Sequence, residues 1–264
     1  MDHDAMGRDP RFQDLLARDS RAVLRAPDAA QLKGVIWYQG EANTRTAWLY
    51  AQLFPAMIPQ WRSAWNQGVF PFYWVQLPGY QPNSVTPEDS EWAELRESQS
   101  MTMELPHTGQ AVTLDLGDAN DLHPKNKLEV ANRLARWPLV HYYGLSMPFH
   151  SPDFKDGAIL GKKMKVTFDY TGSGLCTKPG TGVKGFAICG ADRQWFWAKA
   201  EIMDGNSVMI WSDKVKAPVA VRYEWSDNPV CTLFTKDGLP VNPFRTDGFD
   251  LITQPKNSTS KPSP

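Results

Sequence analysis

Three short apolar runs, each followed by a stretch with helical spacing, fill residues 34 to 143, and this alternation restricts the first half of the chain to an α/β arrangement. Gly34-Val35-Ile36-Trp37-Tyr38 is continuous and apolar, as expected for a strand covered on both faces, and it stops at Gln39-Gly40-Glu41. Leu49, Leu53, Met57, Trp61 and Trp65 recur every four residues and predict a helix that Pro55 and Pro59 kink or briefly break. Phe70 to Leu77 predicts a second buried strand. A loop rich in Pro and Asn then runs to Ser90, which is placed to cap a helix with Trp92, Leu95 and Gln99 on its inner side. Ala111 to Leu116 predicts a third strand, leading through Gly117-Asp118 and Asp121-Leu122-His123 into a helix with Pro124 at its first position and Leu128, Ala131, Leu134 and Ala135 facing inward. Such alternation implies parallel pairing with right-handed crossovers. Ligands of open parallel sheets bind beyond the carboxyl ends of the strands, where Gln39-Gly40-Glu41 and Asp121-Leu122-His123 both fall.

After Gly144 the pattern changes. Met164 to Tyr170, Gly185 to Cys189, Trp195 to Ala200, Ser207 to Ser212 and Ala220 to Trp225 are short runs separated by Gly, Pro, Asp and Asn, the pattern of an antiparallel β-sandwich. The expected division is a polar segment over 1–32 with one helix at Arg11 to Arg18, an α/β domain over 33–146, a β-sandwich over 147–252 and a disordered tail over 253–264.

Charge and cysteine content exclude several classes of partner. With 28 Lys and Arg against 29 Asp and Glu, the chain has no net field to gather phosphates, which argues against nucleic acid or an anionic membrane. No apolar run is long enough to span a bilayer, and Met1-Asp2-His3-Asp4 lacks the order of a secretory signal. Cys176, Cys189 and Cys231 have no zinc-like spacing and read as free thiols, with at most one disulfide among them. No two histidines have metal-ligand spacing, so neither metal nor cofactor is expected.

Of the five histidines, His123 alone follows a predicted buried strand and has carboxylates close by, Asp121 two residues before it and Asp118 five before. It has two readings: a helix cap beside a loop carboxylate, or a general base held by Asp121, with Asp118 in reserve. Gln39, at the end of another strand, can donate to a developing oxyanion, and Gly40 lets a substrate approach the backbone. Glu41 and Asn43 are candidate substrate contacts, Glu41 for sugar hydroxyls or for bracing the loop through backbone N–H groups.

Lys33 to Asn43, Leu53-Phe54-Pro55-Ala56-Met57-Ile58 with Trp61-Arg62, Phe70 to Leu77, Trp92 to Glu97 and Asp121-Leu122-His123-Pro124-Lys125-Asn126-Lys127 together resemble the sialate O-acetylesterase-like carbohydrate esterases of the SGNH hydrolase superfamily. Val221-Arg222-Tyr223, Gly238-Leu239-Pro240 and Pro243 to Asp247 extend the likeness to about residue 250. The resemblance implies a flavodoxin-like parallel sheet, incomplete at its N-terminal side, followed by the β-sandwich. It also implies removal of O-acetyl groups from sugars or short-chain esters, with His123 as base, Asp121 as its orienter and Gln39 as oxyanion donor. Relatives that trim glycans act outside the cytoplasm, so the same localisation is expected.

The departure from the family lies at the nucleophile. Its serine sits in a Gly-Asp-Ser or Gly-Gln-Ser-Asn segment, and no such segment occurs here. Ser20 follows Asp19, but Arg18 precedes that pair, and Ser173 sits between Gly172 and Gly174, where a turn explains it. A sheet short of its first strands leaves an exposed edge, through which an oligomer or a partner chain could add. A non-catalytic carbohydrate- or partner-binding protein is the alternative, with Trp195, Trp197, Trp211 and Trp225 as possible sugar platforms or core residues. Lys125 and Lys127 read either as a solvated helix start or as a preference for an acidic sugar. Asn257-Ser258-Thr259 is a glycosylation sequon in the expected tail.

Overall fold

A computed structural model describes residues 31–255. The helix expected at Arg11 to Arg18, Ser20, and the residues after 255 lie outside it. Strands β1 (Val35–Trp37), β2 (Phe72–Val75) and β3 (Thr108–Ala111) form a parallel sheet in the order β1-β2-β3. The helices are α1 (Ala47–Trp65), α2 (Glu91–Met101) and α3 (Lys127–His141). Phe72 and Trp74 share a core with Tyr50, Phe54, Ile58 and Trp61 of α1 and Leu95 of α2, whereas Tyr73 packs against Trp137 of α3, its ring centroid 6.0 Å away. This alternation puts α1 and α2 on one face of the sheet and α3 on the other.

The structure corrects several sequence expectations in this half. Among the described residues β1 is covered on one face only: Ile36 is 73 % exposed at the sheet edge. The buried stripe of α1 runs through Tyr50, Phe54, Ile58 and Trp61 rather than Leu49, Leu53 and Met57, because the rings of Phe72 and Trp74 draw in the bulkier aromatic side. Nor is α1 broken; Pro55 and Pro59 both lie within a continuous 19-residue helix. The third strand is Thr108–Ala111, not Ala111 to Leu116, since Thr113 leaves the sheet, its hydroxyl donating to the Gln76 carbonyl at 2.7 Å, and Leu114–Leu116 forms a single 3-10 turn. α3 begins at Lys127, where Asn126 accepts from the Glu129 N–H, so neither Pro124 nor His123 opens it. Its inward face is Val130, Arg133 and Trp137, while Leu128 is 74 % exposed. Arg133 is buried there because Asp115 and Glu129 receive its guanidinium, a pairing that hydrophobic spacing does not reveal. Ser90 caps α2 as expected, accepting from the Ala93 N–H at 2.9 Å.

The second half holds two four-stranded antiparallel sheets. One has the order β4-β5-β10-β9 and is built from β4 (Asp153–Leu160), β5 (Lys163–Asp169), β10 (Ser207–Trp211) and β9 (Lys199–Asp204). The other, β13-β11-β7-β8, uses β13 (Phe244–Arg245), β11 (Ala220–Tyr223), β7 (Phe186–Cys189) and β8 (Trp195–Trp197). A pair formed by β6 (Leu175–Thr177) and β12 (Leu233–Thr235) accompanies them. One core draws Val166, Phe168, Val208 and Ile210 from the first sheet and Phe186, Ile188, Val221 and Tyr223 from the second. The run Trp195 to Ala200 is two strands: β8 pairs with β7, and β9 with β10, so the chain changes sheets at Ala198. β4, β6, β12 and β13 went unforeseen; β4 is mostly exposed, and the others are three residues or fewer. All three thiols are free, with Cys176 only half-buried. Thr253, assigned to the expected tail, is held to the fold: the Ile252 and Thr253 N–H groups donate to the buried Glu94 carboxylate.

The halves meet through buried polar groups. Arg96, fully buried, donates to the carbonyls of Leu77, Pro78, Ser226 and Asp227 at 2.7–2.9 Å. Gln76 donates to Asn242 at 2.7 Å and to Ser100 at 2.9 Å, and Asn242 donates to Asp153 at 2.8 Å. Behind Arg96 lies Glu224, 1 % exposed, whose Oε1 accepts from the Cys231 N–H at 3.0 Å. Burial pushes its carboxyl up to about 8, against the pull of that N–H and of the Arg96 charge. The folded chain therefore keeps a proton here that the unfolded chain releases above its ordinary value of 4.5, so the group favours folding most at low pH and progressively less as pH rises through about 8. Glu224→Gln should remove that slope: relative to the parent, the variant gains stability by several kcal/mol between about pH 5 and about pH 9, read from paired urea denaturation curves.

Candidate active site

At the carboxyl end of β1 the backbone turns out of the sheet at Gly40, with φ 153°, and enters a 3-10 turn over Glu41–Thr46. Only glycine fits at this turn, because a Cβ would lie 2.8 Å from Leu95 Cδ2 of α2. Gln99, buried on α2, bridges two strand ends: its Nε2 donates to the Gln39 carbonyl at 3.2 Å, and its Oε1 accepts from the Leu77 N–H at 2.9 Å. The Gln39 side chain is held as well, with Nε2 donating to Asn43 Oδ1 at 2.7 Å and Oε1 accepting from the Tyr50 hydroxyl at 3.4 Å. One Nε2 hydrogen remains for another acceptor.

Beyond β3, Asp118 and Asp121 form an isolated antiparallel bridge. The Asp121 carboxylate accepts from the His123 main-chain N–H at 2.9 Å, and the same oxygen lies 3.6 Å from His123 Nδ1. The imidazole is 80 % exposed, and at 3.6 Å it is beside the carboxylate without a hydrogen bond to it. Asp118 is engaged elsewhere: the Asn120 N–H and the Lys125 ammonium hold its carboxyl below the usual range.

Gln39 and His123 open into one pocket of about 610 Å³, which Tyr38, Glu41, Tyr80, Trp92, Leu122 and Lys127 also help to line. Among the predicted residues, Gln39, Glu41 and His123 stand in its wall. Asn43 lies behind Gln39 and bears on the pocket through that amide, and Asp121 bears on it through the imidazole. The Glu41 carboxylate makes no hydrogen bond to the main chain among the described residues, leaving it open toward the pocket. Burial, helped by the nearby Glu41 charge, pushes the Tyr38 phenol up to about 12. Lys127 lies over the Tyr38 ring, 4.9 Å from its centroid, and Lys125 pairs with Asp118. No serine lines the pocket among the described residues. Ser173 donates to Asp237 at 2.8 Å, closing a turn. Sequence reading missed Tyr80 and Trp92 as walls; their rings meet at 5.4 Å, and an aromatic inside a loop rich in Pro and Asn was the available signal for Tyr80.

The arrangement sets an imidazole, a carboxylate beside it and an amide N–H around an open volume, groups that acyl transfer can use besides a nucleophile. Its geometry depends on Gly117, where a Cβ would overlap the backbone of Gly79 in the neighbouring loop. Gly117→Ala should cost about 1–3 kcal/mol of stability and displace the Asp118 to His123 loop. Thermal denaturation and the shift of the His123 ring signals by NMR would measure both effects.

Residues 5–137 match the model of a family described as carbohydrate esterase, sialic acid-specific acetylesterase. The chain is 30 % identical over 241 residues to sialate O-acetylesterase of Rattus norvegicus and 29 % over 239 residues to that of Homo sapiens. Each alignment covers 81 % of this chain, and 44 % and 45 % of those proteins, so the chain spans less than half their length. Among solved structures, a carbohydrate acetylesterase from Xanthomonas citri is similar with 46 % identity and a TM-score of 0.78, over 83 % of this chain and 51 % of that one.

Proposed function

The chain belongs to the sialic acid-specific acetylesterase family of carbohydrate esterases, and from that premise we propose that it hydrolyses O-acetyl esters of sugars at the pocket where β1 and β3 end. The observation that carries this reading is that Gln39 and His123, from separate loops, line the same open volume. His123 takes the proton of the attacking hydroxyl and returns it to the sugar oxygen as the ester C–O bond breaks. Asp121 positions the imidazole, and Gln39 offers its remaining Nε2 hydrogen to the oxyanion, with Asn43 fixing the amide. Glu41 faces the sugar hydroxyls. Water plus acetyl ester gives acetate plus the free sugar hydroxyl, whether water attacks directly or a serine first takes the acetyl group.

The two four-stranded sheets are read as the layers of a β-sandwich beginning near residue 147, and the three parallel strands as part of an SGNH-type sheet. A second reading, carbohydrate or partner binding without turnover, is favoured by one observation: the pocket has no serine among the described residues. Incubating the chain with p-nitrophenyl acetate and with an acetylated sugar separates the two readings. Acetate release above the buffer rate supports hydrolysis, and sugar binding without release supports the alternative. An acetyl-sized mass increase during turnover would show that a side-chain hydroxyl is the nucleophile.

A further inference from the structure

The four tryptophans of the second half are not equivalent in the fold. Trp195 is covered by the Arg222 guanidinium at 4.3 Å, Trp211 by the Lys163 ammonium at 4.4 Å, and Trp225 by Arg222 and Arg245. Trp197 has no cation over it among the described residues and is 39 % exposed. Its orientation is fixed by a hydrogen bond of 2.8 Å from Nε1 to the Val85 carbonyl, so one face of the indole is held toward solvent at little entropic cost.

Trp197 separates two neighbouring cavities. One, of about 440 Å³, lies toward Val85, Trp195 and Lys214. The other, of about 250 Å³, is walled by Gly185, Lys184, Asn228 and Glu224. Gly185 packs directly against the Glu224 carboxyl, where a Cβ would overlap its atoms, so only the thin glycine backbone stands beside it in the cavity wall. Oε2 of this almost fully buried side chain makes no hydrogen bond of normal geometry among the described residues, and the neighbouring Tyr223 hydroxyl, which interacts with the carboxyl, is short of a partner too. An orphan carboxyl oxygen in a cavity wall calls for a partner. A cation is disfavoured, because Arg96 already supplies positive charge behind the carboxyl and Lys184 adds more at the rim. A neutral ring rich in hydroxyls meets all three features: its polar edge can satisfy Glu224 and Asn228, and its C–H face can lie on the indole.

We propose that the cleft flanking Trp197 is a second saccharide-binding site, separate from the pocket at Gln39 and His123, which takes one neutral sugar ring over Glu224 and the next along Trp197. It would hold a glycan chain independently of ester chemistry, so the inference does not rest on the hydrolase reading. The test is NMR titration of the whole chain with maltose, cellobiose, lactose and N,N′-diacetylchitobiose. At least one should shift the Trp197 indole N–H and the Gly185 amide without moving the signals of residues 39–42 and 122–127, and Trp197→Ala should weaken that binding by about tenfold or more. Three outcomes would overturn the proposal: no sugar of the set moves the Trp197 indole N–H, the shifts are confined to the pocket at His123, or Trp197→Ala binds as tightly as the parent. The titration of the parent chain decides the matter even if Trp197→Ala fails to fold.

Discussion

His123→Ala should lower acetate release from an acetylated sugar by about 10²–10⁴-fold. In the proposed mechanism the imidazole accepts the proton, and it lines the pocket with Asp121 Oδ1 at 3.6 Å from its Nδ1. The size of the loss should depend on the leaving group. A sugar alkoxide must recover a proton as it departs, whereas p-nitrophenolate leaves without one, so the variant should lose less on the aryl ester. Gln39→Ala should depress both substrates alike, by about 10²–10³-fold, because the oxyanion forms in either case. Parallel rate measurements with both esters check this pattern, and parent-like rates for His123→Ala would remove the imidazole from the mechanism.

Arg96→Met should destabilise the fold by roughly 3–5 kcal/mol, the largest expected loss from any single substitution considered for this chain. The guanidinium spends its donors on four carbonyl oxygens, two from the loop after β2 and two from the loop after β11. Without it the Leu77 and Ser226 oxygens lose their donor inside the fold, while Pro78 and Asp227 keep only the Trp92 Nε1 and Tyr80 N–H bonds. Arg96→Lys should recover little, since an ammonium carries its hydrogens on one atom and cannot span both loops. Urea denaturation measures the change, and a difference under about 1 kcal/mol would show the tie to be structurally idle.

Much of the α/β half was legible because period and polarity agree there: strand, loop and cap at Gly34 to Glu41 and at Ser90 follow from local chemistry. Where tertiary partners decide, the reading slipped. Arg133 enters the core through Asp115 and Glu129, turning α3 away from the face that Leu128 and Ala131 predicted. Thr108 to Ala111 is a strand because Phe72 to Val75 pair with it, although its own residues carry little β character. The pocket was legible as two strand ends, but its aromatic wall was not, since Tyr80 and Trp92 come together only after the loop folds back onto α2. The four tryptophans could not be ranked from spacing either, because the cations that cover three of them come from elsewhere in the chain.

The amide of Gln76 finds Asn242 166 positions later, and Arg96 finds the carbonyl of Asp227 131 positions later. A ribosome therefore delivers Gln76 and Arg96 before Asn242 and Asp227, and until those are made the two side chains hold only their first-half partners, Ser100 for the amide and the Leu77 and Pro78 carbonyls for the guanidinium. The tie between the two halves closes only once residues 227 to 242 have been made, so long-range contacts complete the buried polar seam last.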